Sequence, residues 1–134
     1  MGTGPNFVLE KGFTANGTTA YAVGEAVAID TAVQSMKRAT VVATAADVIM
    51  VCMEACDASK LTGNAGKVAL RARMLGIARV KLGANATKGA RMTNNVSAAF
   101  VVQATAGGPV AGVLLESGST GDLVEMLLTP GSTL

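Results

Sequence analysis

The residues most able to support chemistry in this 134-residue chain include the loop SGSTG at 117–121, which is rich in glycine and hydroxyl groups. A phosphate-binding loop of the G-x-x-x-x-G-K-[ST] type requires lysine after its second glycine. Here Gly121 is followed by Asp122, an anion that would repel phosphate. Serine and threonine hydroxyls bond readily to nearby backbone in turns. We therefore predict that SGSTG is the connector of a β-hairpin and not a phosphate site.

The two cysteines, Cys52 and Cys56, form a second candidate group with Glu54 between them in the stretch CMEAC. On an extended strand these three side chains would share one face, as metal ligands must. The chain has no histidine and no further cysteine to complete a zinc shell, and the spacing differs from the C-x-x-C of redox sites. We predict two structural thiols of an intracellular protein, with no metal and no cofactor.

A third candidate pair is Glu54 and Glu116, since a glycosidase uses two carboxylates across a cleft. Each of them ends an apolar run, at matching places in the two halves of the chain, and this predicts a structural role. The absence of histidine also removes the commonest general base. The sequence therefore predicts a protein that is not an enzyme.

The stretch KVALRARMLGIARVKL, residues 67–82, has the clearest periodicity. Its even positions are apolar or small, and its odd positions carry cations, a pattern of period two that predicts a long strand with one face in the core. We expect a bend or bulge at Gly76, which would let one strand serve two parts of a barrel. The five cations of the odd face are Lys67, Arg71, Arg73, Arg79 and Lys81.

This basic face has three interpretations. It is a solvated sheet face, a protein interface in which arginine is enriched, or a nucleic-acid surface that neutralises phosphates. Nucleic acid is the least favoured, because single-strand binders stack bases on aromatic side chains and this strand has none. Leu75 and Ile77, on the same face, favour a protein interface.

Turn signals at short intervals separate apolar runs of four to nine residues, a rhythm typical of an all-β barrel or sandwich. GEAVAID resembles GARMTNN, and GKVALRAR resembles GDLVEMLL, so we predict one domain built from two weakly similar β units that pair into one barrel. The long connector ACDASKLTGNAG in the first unit corresponds to SGSTG in the second. We assign residues 1–19 to an extended N-terminal arm and residues 20–134 to the barrel domain.

The ends of the chain and its charge give further expectations. The N-terminus lacks the pattern of a signal peptide, and no window is long and apolar enough to span a membrane. Residues 1–66 carry four basic and six acidic side chains, and residues 67–134 carry seven basic and three acidic ones. This asymmetry would suit contacts between subunits or with an acidic surface.

Four stretches share a pattern with one known family: GEAVAID, KRATVVATAADVIMVCMEACDA, GKVALRARMLGIARVKLGANATKGARMTNN and GPVAGVLLESGSTGDLVEMLL. With their alternating cations, V-A-G-V strand and Gly-rich turn, they resemble the capsid decoration, or cement, proteins of tailed phages. The resemblance covers roughly residues 20–129. The chain departs from it at Met50-Val51-Cys52, where a V-x-G-V strand would carry glycine.

The resemblance implies a non-enzymatic β-barrel, made in the bacterial host cytoplasm, that binds the major capsid protein on the exterior of the virion. It also implies a homo-oligomer, with a trimer favoured. The alternative function is a nucleic-acid-binding barrel that uses the basic strand at 67–81. The residues we expect at a capsid or subunit interface are Phe7, Val8, Leu9, Arg71, Arg73, Arg79 and Lys81.

Overall fold

The computed structural model describes residues 8–15, 17–30, 35–40, 49–64 and 68–134. The chain is nearly all β, as predicted, with one helix of six residues in the described part. The elements in chain order are β1 (Leu9–Ala15), β2 (Ala26–Asp30), β3 (Ser35–Arg38), β4 (Ile49–Cys52), α1 (Ala58–Gly63), β5 (Val68–Lys81), β6 (Arg91–Asn94), β7 (Phe100–Val102), β8 (Pro109–Leu114) and β9 (Leu123–Thr133).

The strand β5 organises the molecule. It is fourteen residues long, and its even positions Leu70, Ala72, Ala78 and Val80 are buried while the odd positions 69, 71, 75, 77, 79 and 81 are exposed. This is the alternation that the sequence predicts, and it fixes which face of the strand lies in the core.

The predicted bend at Gly76 is present. Gly76 has a φ of 103°, in the left-handed region that residues with a Cβ rarely adopt. Before the bend Leu75 pairs with Leu9 of β1, and after it Gly76 pairs with Leu128 of β9. One strand therefore takes part in two sheets.

The first of these sheets closes on itself. Its strand order is β1-β3-β2-β4-β5, and β5 pairs with β1 again, which gives a closed five-stranded barrel. The second runs β5-β9-β8-β6-β7, and a single parallel bridge between Leu82 and Phe100 joins its two ends. We call the described residues up to Leu75 unit 1 and residues 76–134 unit 2.

A two-unit repeat is present in the hydrogen bonding, but the sequence match of GKVALRAR with GDLVEMLL is one residue out of register, because Ala72 corresponds to Met126 and not to Leu127. The sequence predicts two units that pair into one barrel, whereas the closed barrel consists of the strands of unit 1 and unit 2 extends it through β5. Gly24 and Gly89, at the start of matching segments, have φ values of 88° and 89°. Three cross-strand backbone pairs of unit 1 have an equivalent in unit 2. The pair Ala26–Val51 corresponds to Arg91–Val113, the pair Cys52–Ala72 corresponds to Leu114–Met126, and the bridge Tyr21–Cys56 corresponds to Ala86–Gly118.

One hydrophobic cluster contains buried residues of both units. Ala26 and Val51 of unit 1 belong to the same hydrophobic cluster as Met126 and Phe100 of unit 2. The buried side chain of Asn94 donates its amide to the carbonyl of Ala39 at 2.8 Å, which satisfies polar groups that burial would otherwise leave unpaired. This shared cluster makes the chain one folding unit.

The segment assigned to an N-terminal arm contributes a strand to the barrel. Strand β1 pairs antiparallel with β5 over its whole length and parallel with β3 at Thr14 and Ala15. Residues 1–7, and with them Phe7, lie outside the described part of the chain. The division at residue 20 stays a prediction.

The departure from the family pattern at Met50 has a packing explanation. By the pairing above, Met50 of β4 corresponds to Gly112 of β8, and Ala72 corresponds to Met126. All four are buried. A Cβ placed on Gly112 would lie 2.8 Å from Cγ of Met126 and closer still to the carbonyl oxygen of Leu127. Unit 1 therefore has a methionine on β4, at Met50, opposite a small residue on β5. Unit 2 has the reverse arrangement, with Gly112 on β8 and Met126 on β9.

This packing predicts that Gly112→Ala destabilises the protein. A methyl group there meets the backbone of β9, and overpacking of this kind costs about 1–3 kcal/mol in the free energy of unfolding. Gly12→Ala is the matched control, because a Cβ on Gly12 has no neighbour within 4 Å, and it should change that free energy by less than about 0.5 kcal/mol. Urea denaturation measures both, and equal stabilities would contradict the proposed contact.

Candidate interaction surface

The loop SGSTG is the hairpin connector that the sequence predicts. It joins β8 and β9, which pair antiparallel. Asp122, the residue that argues against a phosphate site, accepts a hydrogen bond from the backbone N–H of Ser119 at 2.9 Å. Its carboxylate therefore stabilises the turn.

The two cysteines are free and buried. Cys52 donates its thiol to the carbonyl oxygen of Glu54 at 3.0 Å. Burial raises the pKa of the Cys52 thiol, and the nearby carboxylates of Glu25 and Glu54 raise it further. Within the described residues, no three cysteine or acidic side chains come together as a metal site would require.

Glu54 and Glu116 have the same structural role in the two units, as predicted. Glu54 accepts the backbone N–H of Arg71 at 3.0 Å, and Glu116 accepts that of Glu125 at 3.4 Å. Each carboxylate therefore ties the end of one strand to the next strand of its own unit.

The basic face of β5 divides into two parts at the bend. In the first part Arg71 contacts Glu54 at 3.1 Å and Glu10 at 3.5 Å. Arg73 also pairs with Glu10, and its guanidinium donates to the carbonyl oxygen of Ile77. These two arginines are thus largely neutralised within unit 1, and their charges hold β1 and β4 against β5.

The second part of the basic face lies beyond the bend. Arg79 and Lys81 are exposed, and neither forms an ion pair with any residue that the structure describes. Arg79 lies opposite Glu125 in the β5–β9 register, and Lys81 lies opposite Leu123. Among the described cations of β5, these two are available to an acidic partner.

Between the two parts lies a contiguous row of exposed aliphatic side chains, which we call the apolar band. It consists of Leu9, Leu75, Ile77 and Leu127, each 40–48% exposed. The row crosses three strands, because Leu9 pairs with Leu75 and Ile77 pairs with Leu127. Contiguous apolar surface of this kind is typical of protein interaction sites.

The structure brings together part of the predicted interface. Leu9 joins Leu75 and Ile77 in the apolar band, and Val8, which precedes β1, is exposed. Leu127 of the apolar band is not among the residues that the sequence predicts at an interface. Its signal was the alternation in LVEMLL, where Leu123 and Leu127 are exposed and the even positions are buried.

No protein-family model and no curated protein sequence matches the chain. Among solved structures, the chain is similar to the N base of the head fiber gp8.5 of bacteriophage phi29. The TM-score is 0.61 at 14% sequence identity, over 96% of this chain and 98% of that one. This likeness shows a common fold.

In the described part of the chain, no helix has the length and apolarity to cross a bilayer.

The burial of Cys52 predicts a slow reaction with 5,5′-dithiobis(2-nitrobenzoate). The thiolate is the reactive form, and the raised pKa and the lack of access both disfavour attack on the native protein. A Cys56→Ser variant leaves Cys52 as the remaining thiol. Because unfolding exposes this thiol, we expect it to be labelled on the order of 100-fold faster in ~8 M urea than in buffer. Comparable rates in the two conditions would show that the site is open.

Proposed function

We propose that this chain is a structural, non-enzymatic protein of a tailed-phage virion that binds the exterior of the head as a decoration or cement protein. The observation that carries the proposal is the fold likeness to a phage head fiber base, which extends over nearly the whole length of both chains. The fold likeness is independent of the sequence motifs that resemble decoration proteins. Such a protein stabilises the shell because it binds only the assembled state.

The exposed cations support a contact with the major capsid protein. Arg79 and Lys81 lie on one exposed strand face, free of ion pairs with described residues. Charges of this kind steer association with an acidic surface and add to it directly. Because many copies act on one lattice, each contact needs only modest affinity.

The apolar band supports a homo-oligomer, which we propose to be a trimer. Its four aliphatic side chains form one row across β1, β5 and β9, and burial of that row against another subunit would remove it from water. The band adjoins the two cations, because Ile77 and Arg79 are successive exposed residues on the same face of β5.

The head-binding proposal predicts a stoichiometric virion component. Mass spectrometry of purified particles of the encoding phage should find the protein in a fixed ratio to the major capsid protein. The double variant Arg79→Glu, Lys81→Glu should lower its occupancy on heads at least tenfold at physiological salt, about the range for loss of close charge pairs. Lys60→Glu, on the exposed surface of α1, is the matched charge reversal and should leave occupancy unchanged.

Two outcomes would count against the proposal in different ways. Absence of the wild-type protein from purified virions would reject a virion role altogether. Full occupancy by the double variant would retain the virion role and exclude the two cations as the capsid contact. Steep, salt-dependent binding to single-stranded DNA that the double variant loses would instead favour the nucleic-acid alternative.

The oligomer proposal predicts that polar substitution in the apolar band produces monomers. Ile77→Gln with Leu127→Gln should shift the mass from light scattering from a trimer toward a single chain, because the amide groups would be buried without partners. Val96→Gln is the matched control, since Val96 is exposed but outside the band. A wild-type protein that is monomeric at high concentration would contradict the proposal.

A further inference from the structure

Strand β9 contains a wide bulge where it passes β8. The ladder pairs on either side of the bulge are Val110–Ser132 and Gly112–Leu128. One residue of β8 therefore lies opposite three residues of β9. The backbone of β9 turns within the bulge, where Gly131 has a φ of 79°. A bulge interrupts the ladder and leaves its extra residues without a partner on the facing strand. Polar backbone groups are thus present here outside the regular register.

A cavity of about 10 Å³ lies beside the bulge. Its walls come from both units, because it is lined by Ile49 of β4, Thr93 of β6, residues 109–111 and residues 130–132. A volume of this order admits about one water molecule and excludes a larger ligand. The size of the cavity therefore restricts its occupant to a single small polar molecule.

The polar side chain in the wall of the cavity is that of Thr93. This residue is only 5% exposed, and its Oγ1 has no hydrogen-bond partner in the described part of the chain. The next residue, Asn94, shows the contrast, since its buried amide donates to the carbonyl of Ala39. A hydroxyl that is buried without a partner loses the hydrogen bonds it makes to water in the unfolded chain. Thr93 Oγ1 is thus a buried donor and acceptor beside a cavity of the size of a water molecule.

We propose that the cavity binds one structural water molecule, held by Thr93 Oγ1 and by backbone groups of the bulge. Ala111 and Gly131 line the cavity and lie outside the ladder register, so their backbones supply the further partners. Buried waters make about three hydrogen bonds, typically to groups that the protein itself does not pair. The water joins β6 to the bulge and fixes the direction in which the last residues of β9 leave the sheet.

The sign of a stability change tests the proposal. Thr93→Val replaces the hydroxyl with a methyl group of the same shape. We expect the thermal midpoint to fall by about 2–5 °C, because the bound water loses one partner. A hydroxyl with no partner would behave in the opposite way, since its removal relieves the cost of burial. An unchanged or higher midpoint for Thr93→Val would therefore overturn the proposal.

Thr129→Val is the matched control. The Oγ1 of Thr129 is also buried without a hydrogen-bond partner among the described residues, but Thr129 is not part of the cavity wall. Its replacement should leave the midpoint unchanged or raise it.

A high-resolution crystal structure locates the water directly. We expect one density peak within hydrogen-bond distance of both Thr93 Oγ1 and a backbone group of Ala111 or Gly131, and we expect its loss in Thr93→Val. A Thr93 hydroxyl bonded to a protein group, or a cavity without density in the unsubstituted protein, would reject the site.

Discussion

The fold depends on one strand that belongs to two sheets. Strand β5 completes the closed barrel of unit 1 before Gly76 and begins the sheet of unit 2 after it. Because the backbone at Gly76 has a positive φ, the strand can turn between the two sheets without ending. The hydrophobic cluster that spans both units forms on the inner side of this strand. The bend at Gly76 and the register on either side of it therefore determine the relative position of the units together with the cluster that they share.

The same strand determines which charges remain available on the surface. Glu10 reaches both Arg71 and Arg73 only because β1 pairs with the first half of β5. No equivalent strand places acids beside Lys81, whose neighbour in register is Leu123. The basic face that looks uniform in sequence thus carries a network of surface ion pairs at one end, and at the other end two exposed cations that form no ion pair with described residues. Surface pairs of the first kind add little to stability one by one, but they fix strand positions.

Several features of the fold could be predicted because each depends on the local sequence. They are the alternation of β5, the bend at Gly76, the hairpin at SGSTG and the two-unit repeat. Period two and the glycine positions need no knowledge of tertiary contacts. The ion pairs of Glu10 and the place of Leu127 in the apolar band could not be predicted, since both depend on which strands become neighbours. The helix α1 was also missed, because six residues carry too little periodicity to separate a helical turn from a loop.

The reversed positions of Met50 in unit 1 and Met126 in unit 2 have a consequence for folding. Chains made of two similar units can pair a strand with the wrong partner, and such mispaired species aggregate. If β4 paired with β9, Met50 and Met126 would compete for one volume. If β8 paired with β5, Gly112 beside Ala72 would leave a cavity. Both errors cost free energy that correct pairing avoids. The large side chain of Met50 on β4 and the lack of a side chain at Gly112 on β8 therefore disfavour pairing of either strand with the wrong unit.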